Sequence, residues 1–179
     1  RQLLKNDMAY VPFKIISLEK HYESSFSIKT NNEVYKIIVG GIVDRIDKIG
    51  STTRIIDYKT GKNLDLQFSK IDDLFSRSVS NRKKEIFQTL LYSEILTKSE
   101  GIGYIQPTIY KTNNFFETKF SPSVRFRKEN LIYDSIRKEF NEKLNELFSE
   151  ILSVTNVYDQ TENVQKCMSC PYNVICRRG

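Results

Sequence analysis

What this sequence lacks narrows its class first. No apolar run approaches the roughly 20 residues that a membrane helix needs, so a helical membrane span is not expected. The opening Arg1-Gln2-Leu3-Leu4-Lys5-Asn6-Asp7-Met8 has no apolar stretch of the kind a secretory signal carries. There is no internal repeat and no low-complexity segment, which sets repeat arrays and disordered tracts aside. Cysteine is scarce: Cys167, Cys170 and Cys176 all lie near the end of the chain. An odd, terminal group is a poor disulfide framework and suits metal ligation better. With no secretion signal, the reducing cytoplasm is the expected compartment.

What is present fits one α/β domain. The chain has 179 residues and a mass of 21.0 kDa, enough for a real core. Hydrophobic residues make up 39% and charged residues 28%, so it reads as a soluble globular protein. The net charge is +6 and the pI near 9.1, a balance that mildly favours a polyanionic partner. Arg77, Arg82, Lys83 and Lys84 group together, as do Arg125, Arg127, Lys128, Arg137 and Lys138. The chain opens on Arg1, not on methionine, and the expectation is a fragment from the C-terminal part of a longer polypeptide.

Residue patterns predict strands at Val11 to Glu19, Ser25 to Thr30, Val34 to Asp47 and Arg54 to Tyr58. A turn is expected at Asn31-Asn32. Gly40-Gly41 marks a bend or close backbone approach. Asn63 to Asn81 reads as an irregular loop over a site. Arg82 to Lys98 spaces Ile86, Phe87, Leu90, Leu91 and Ile95 for one helix face, ended by Gly101. Further strands are expected at Tyr104 to Tyr110 and Phe115 to Phe120, turning at 112–114. A long helix follows, from about Arg127 to Leu152, with an apolar stripe from Ile132 to Ile151. The order implies a mixed β-sheet flanked by helices.

Two aspartates end neighbouring strands: Asp44 in Gly41-Ile42-Val43-Asp44-Arg45-Ile46-Asp47, and Asp57 in Ile55-Ile56-Asp57-Tyr58-Lys59-Thr60-Gly61. If the strands pair as a hairpin, both carboxylates converge. Paired hard oxygen donors suit Mg²⁺ or Mn²⁺. Flanked by apolar β-branched residues, they are costly to bury unpaired, and a cation would offset that cost. Lys59 shares a strand face with Asp57. There it can orient a water and stabilise charge growing on a phosphate. Tyr58 points the other way, though its backbone carbonyl can still face a metal. By the same alternation Arg45 and Asp47 lie opposite Ile46 and read as structural. An isolated Asp-x-Lys is common as a surface pair, so the context has to carry the reading.

That context resembles the RecB-family nucleases of the PD-(D/E)XK class. Their pattern is a G-x-x-D-R-x-D strand, a D-Y-K-T-G strand and a helix with Q-x-x-x-Y, here Gln88 and Tyr92. The resemblance implies a restriction-endonuclease-like core and phosphodiester hydrolysis of DNA. It implies Asp44, Asp57 and the Tyr58 carbonyl as ligands of Mg²⁺ or Mn²⁺, and Lys59 as the catalytic lysine. Gln88 and Tyr92 would face the site from one side of their helix. Lys62, Arg82, Lys83 and Lys84 are candidates for holding DNA phosphates. Family members also place a histidine or acidic residue on a helix before the first strand. The only histidine here, His21, follows a predicted strand and is not given that role. The helix is expected upstream of residue 1.

The tail, residues 163–179, holds Cys167-x-x-Cys170-x5-Cys176 in Cys-Pro-Tyr and Ile-Cys-Arg-Arg surroundings. It resembles the C-terminal iron–sulfur motif of AddB-type helicase–nuclease subunits and of CRISPR-associated adaptation nucleases. A [4Fe–4S] cluster takes four thiolates. Three are present, so the resemblance implies a cluster in a full-length protein and no stable cluster in this chain. The expectation is thus a single nuclease domain, an exonuclease in double-strand-break repair with a helicase–nuclease partner subunit. A free-standing adaptation or phage-type nuclease and a catalytically silent DNA-binding domain are the alternatives.

Overall fold

The structure, a computed structural model, describes residues 2–30, 32–61, 65–76, 83–111, 121–153, 160–161, 164–168 and 170–177. The elements run α1 (Gln2–Met8), β1 (Lys14–Thr30), β2 (Glu33–Ile49), β3 (Thr52–Lys59), β4 (Gln67–Phe68), α2 (Asp72–Phe75) and α3 (Lys84–Glu100). They continue with β5 (Ile105–Lys111), β6 (Arg125–Phe126), β7 (Glu129–Asn130), a 3₁₀ turn at Tyr133–Ser135, α4 (Arg137–Leu152) and α5 (Val164–Met168). Among the described residues the main sheet has four strands in the order β1-β2-β3-β5. The pair β3 and β5 is parallel and the other pairs are antiparallel. A parallel pair needs a crossover, and α3 lies in it. This is the mixed α/β sheet flanked by helices that the sequence predicts.

Each face of the sheet has its own cover. On one side Val43, Ile46, Ile55, Ile105 and Ile109 pack with Ile86, Leu90 and Ile95 of α3 and with Phe140 and Leu144 of α4. On the other, Ile56 and Tyr110 pack with Leu3 of α1 and with Tyr58. The same face holds a buried charge network, Asp7–Arg45–Asp47–Arg54, with N–O distances of 2.6–2.8 Å. Arg45 and Asp47 are therefore structural, as alternation along β2 indicates.

Several sequence expectations shift. The two strands expected at Val11 to Glu19 and Ser25 to Thr30 form one, because Lys20 to Ser24 continue the ladder opposite Val43 to Val39. Only one face of this long hairpin is covered, so its polar middle hides the strand from a pattern search. Asn32 turns the hairpin with φ +61°, a conformation asparagine tolerates. The expected loop 63–81 contains β4 and α2; residues 62–64 and 77–82 lie outside the described residues, as do the strand and turn expected over 112–120. The long helix begins at Arg137, not Arg127. Arg127 and Lys128 both take positive φ (+49° and +76°), which reverses the chain into the β6–β7 hairpin. Finally, α1 precedes β1 within the chain, where no helix was expected.

Helix α3 is tied to α4 by Glu94, which is 3% exposed. Burial alone raises its carboxyl, but hydrogen bonds from Arg137, Asn141 and Tyr133 outweigh that and hold it below the usual range. Arg137 Nε donates at 2.8 Å and Tyr133 Oη at 2.9 Å. A depressed carboxyl contributes stability that is present above its unfolded pKa and lost as pH falls through its folded one. Glu94→Gln should therefore cost about 1–2 kcal/mol near neutrality, after allowing for the partly exposed arginine. The deficit should shrink in acid, below the ordinary glutamate range. A series of urea melts against pH tests this, and a deficit independent of pH would count against it.

Candidate active site

Asp44 and Asp57 enter the site from adjacent antiparallel strands. Pairing of β2 with β3 ends at Arg45 opposite Ile56, so the two aspartates follow at the point where the strands part. The Tyr58 backbone N–H donates to Asp44 Oδ2 at 2.9 Å, which fixes that carboxylate against the next strand. Alternation along β2 is irregular here. Val43 and Ile46 both face the α3-side core though three residues apart. Glu19, between the paired positions Leu18 and Lys20, takes φ +45°.

Asp57 is 4% exposed. Lys59 Nζ donates to its Oδ1 at 3.0 Å and lies 2.9 Å from its Oδ2. The angle to Oδ2 does not make a hydrogen bond, so Oδ2 is a buried carboxylate oxygen that accepts none. Burial raises the Asp57 carboxyl, and the charges of Asp44 and Glu85 add to that rise against the opposing pull of Lys59. A divalent cation would remove this penalty. The donor set therefore fits a hard cation: two carboxylates, one with a buried oxygen that accepts no hydrogen bond. Among the described residues no three Asp, Glu, His or Cys side chains converge to hold a metal. The remaining coordination would fall to backbone carbonyl and water, as Mg²⁺ accepts readily.

Helix α3 holds the lysine. Lys59 Nζ also donates to Gln88 Oε1 at 3.1 Å, and Gln88 Nε2 donates to Tyr92 Oη at 3.3 Å. Gln88 and Tyr92 thus act as a brace. The Tyr92 ring lies against Gly41, where an added Cβ would come within 2.7 Å of Tyr92 Oη. This explains one glycine of the Gly40-Gly41 pair: the backbone of β2 must be bare for the tyrosine to reach Gln88. Gly41→Ala should displace the phenol, loosen Lys59 through Gln88 and lower cleavage about tenfold with the fold kept, since small misplacements are costly in catalysis. Steady-state rates beside a circular dichroism melt check this; full activity would show that the brace is not needed.

The remaining sequence candidates are placed differently. Lys62 and Arg82 lie outside the described residues. Lys83 Nζ pairs with Asp65 at 2.6 Å. Lys84 is exposed, 3.9 Å from Glu85. His21 is exposed on β1. Asp7 on α1 cannot serve as a third ligand, because it is spent on Arg45 and Tyr110 on the opposite face of the sheet. Cys167 is buried and Cys170 and Cys176 half-buried, and none of the three is in a disulfide. Among the described residues they form no metal-holding group, and three thiolates are one short of the four that a [4Fe–4S] cluster takes. Sequence reasoning missed Glu85, although Glu85, Gln88 and Tyr92 follow the i, i+3, i+7 spacing of one helix face.

The mixed sheet flanked by helices is consistent with a nuclease core, and residues 1–177 match the model of the PD-(D/E)XK nuclease superfamily. The chain belongs to that superfamily. No curated relative matches it. Among solved proteins, the crystal structure of SSO0001 aligns over 98% of this chain and 66% of its own, with 14% identity and a TM-score of 0.39. The chain thus spans just under two thirds of that protein's length. No helix among the described residues is long and apolar enough to cross a membrane.

Proposed function

We propose that this chain is a divalent-metal-dependent deoxyribonuclease, with Asp44 and Asp57 as its metal ligands and Lys59 as its catalytic lysine. The observation that carries the reading is the Asp57–Lys59–Gln88–Tyr92 hydrogen-bond chain beside Asp44. Mg²⁺ or Mn²⁺, when bound by these carboxylates and the Tyr58 carbonyl, polarises the phosphate and lowers the pKa of water. Lys59 presents its ammonium to the attacking water and to the phosphate oxygens that gain charge. Gln88, held by Tyr92, fixes that ammonium's direction. Water attacks phosphorus and gives up a proton to solvent, the bond to the leaving sugar oxygen breaks, and that oxygen takes up a proton from solvent water.

The finer reading is an exonuclease acting in double-strand-break repair, as the C-terminal nuclease part of an AddB-like subunit with a helicase–nuclease partner. The three-block motif and the cysteine tail support it, and within a full-length protein that tail would complete an iron–sulfur site. The test is cleavage of end-labelled linear single- and double-stranded DNA with Mn²⁺, Mg²⁺ or EDTA. Metal-dependent loss of label as mononucleotides or short oligonucleotides supports an exonuclease. Internal fragments would point to an endonuclease. DNA binding without cleavage under any metal would overturn the enzymatic reading in favour of a binding module.

A further inference from the structure

Glu85 is the acidic residue of the site that the motif does not name. It sits in the first turn of α3, one turn before Gln88 and two before Tyr92. Gln88 contacts Lys59 and Tyr92 contacts the Gly41 position, so this helix face looks onto the middle of β2 and the end of β3. The Glu85 side chain is 14% exposed. Among the described residues Lys84, 82% exposed, pairs with it at 3.9 Å, a separation at which an exposed pair contributes little. The charge of Glu85 reaches Asp57, whose Oδ2 is buried without a hydrogen bond. Glu85 thus lies on the helix face that carries Gln88 and Tyr92 and acts by its charge on the buried Asp57.

Resting on the metal-dependent reading above, we propose that Glu85 is a positioning residue of the metal site, its carboxylate accepting hydrogen bonds from waters on a cation held by Asp44 and Asp57. Water-mediated contact is the role assigned, since among the described residues no three Asp, Glu, His or Cys side chains converge as a ligand group. Mg²⁺ and related ions keep several waters, and carboxylates that orient those waters tune affinity. A purely structural role is the competing account. An acidic residue in a first helical turn favours the helix dipole and would affect thermal stability alone.

The experiment is a calorimetric titration of the intact chain with Mn²⁺ alone, comparing wild type, Glu85→Gln, Glu85→Asp and Asp57→Asn, with a thermal melt of each. The proposal expects Asp57→Asn to lose binding and Glu85→Gln to weaken it about tenfold with little change in Tm. Glu85→Asp should recover part of the loss. Wild-type affinity in Glu85→Gln, with or without a lowered Tm, overturns the proposal while binding lost in Asp57→Asn leaves the parent reading intact. Absence of Mn²⁺ binding by the wild-type chain overturns both.

Discussion

Lys59→Ala should lower metal-dependent cleavage by about 10²–10³-fold, the usual loss when one preorganised charge-stabilising group is removed. The effect should fall on kcat, because the ammonium acts mainly on charge that develops in the transition state. Two features set the expected size. Lys59 is held from two sides, by Asp57 Oδ1 at 3.0 Å and by Gln88 Oε1 at 3.1 Å, so little reorganisation is needed during the reaction. Lys59 is also only 27% exposed, which keeps water from screening the charge. Lys59→Arg should not rescue, since the planar guanidinium cannot reproduce a point donor between two acceptors. The measurement is single-turnover cleavage at saturating Mn²⁺ beside a thermal melt. A folded Lys59→Ala protein cleaving within a few-fold of wild type would remove this lysine from the mechanism.

The largest loss of stability is expected at Asp47, which takes no part in the chemistry. Asp47→Ala should cost about 3–5 kcal/mol, the range for breaking a buried ion pair by removing one partner. Asp47 is fully buried and answers two arginines: Arg45 Nη2 donates to Oδ2 at 2.6 Å, and Arg54 Nε and Nη2 donate at 2.7 Å to Oδ1 and Oδ2. Without it, Arg54 keeps only the Tyr10 and Phe13 rings, at 4.4 and 5.9 Å. Arg45 would retain Asp7 at 2.8 Å. A buried guanidinium without an anion is expensive, and Arg45 Nε and Arg54 Nη1 already lack hydrogen-bond partners. Against a total stability of roughly 5–15 kcal/mol for a domain, this change could leave the chain largely unfolded at 37 °C. Urea denaturation at 15 °C reads the loss where the variant still folds. Arg54→Met should be milder, because the network then keeps one positive charge for Asp47 and fills the space with an apolar chain. Equal losses for the two would show that volume, not charge, sets the cost.

Much of the site was legible because its chemistry is local along the chain. Asp57 and Lys59 share a strand face by alternation, and Gln88 and Tyr92 share a helix face by i, i+4 spacing. The type of each main element followed from hydrophobic periodicity, which reports a half-covered face whatever covers it. Where the sequence misled, the cause was non-local. Lys20 to Ser24 look like a break, yet they are strand because β2 supplies their hydrogen bonds. Arg127 to Ile136 are expected to open the long helix, yet positive φ at Arg127 and Lys128 closes the β6–β7 hairpin, whose neighbour β4 lies far back in the sequence, and Tyr133–Ser135 form a 3₁₀ turn.

The sequence by itself determined the α/β class, placed Asp57 with Lys59 and Gln88 with Tyr92 on shared faces through periods of two and about four residues, and pointed through its resemblance to a nuclease motif to these residues and Asp44 as the site. Only the tertiary structure decided that Asp7 belongs to a buried charge network behind the sheet, that Gly41 is bare to seat Tyr92, and that the charge of Glu85 acts on Asp57. Each of those contacts joins segments tens of residues apart, and its meaning lies in which face of the sheet the partner occupies, which no local pattern encodes.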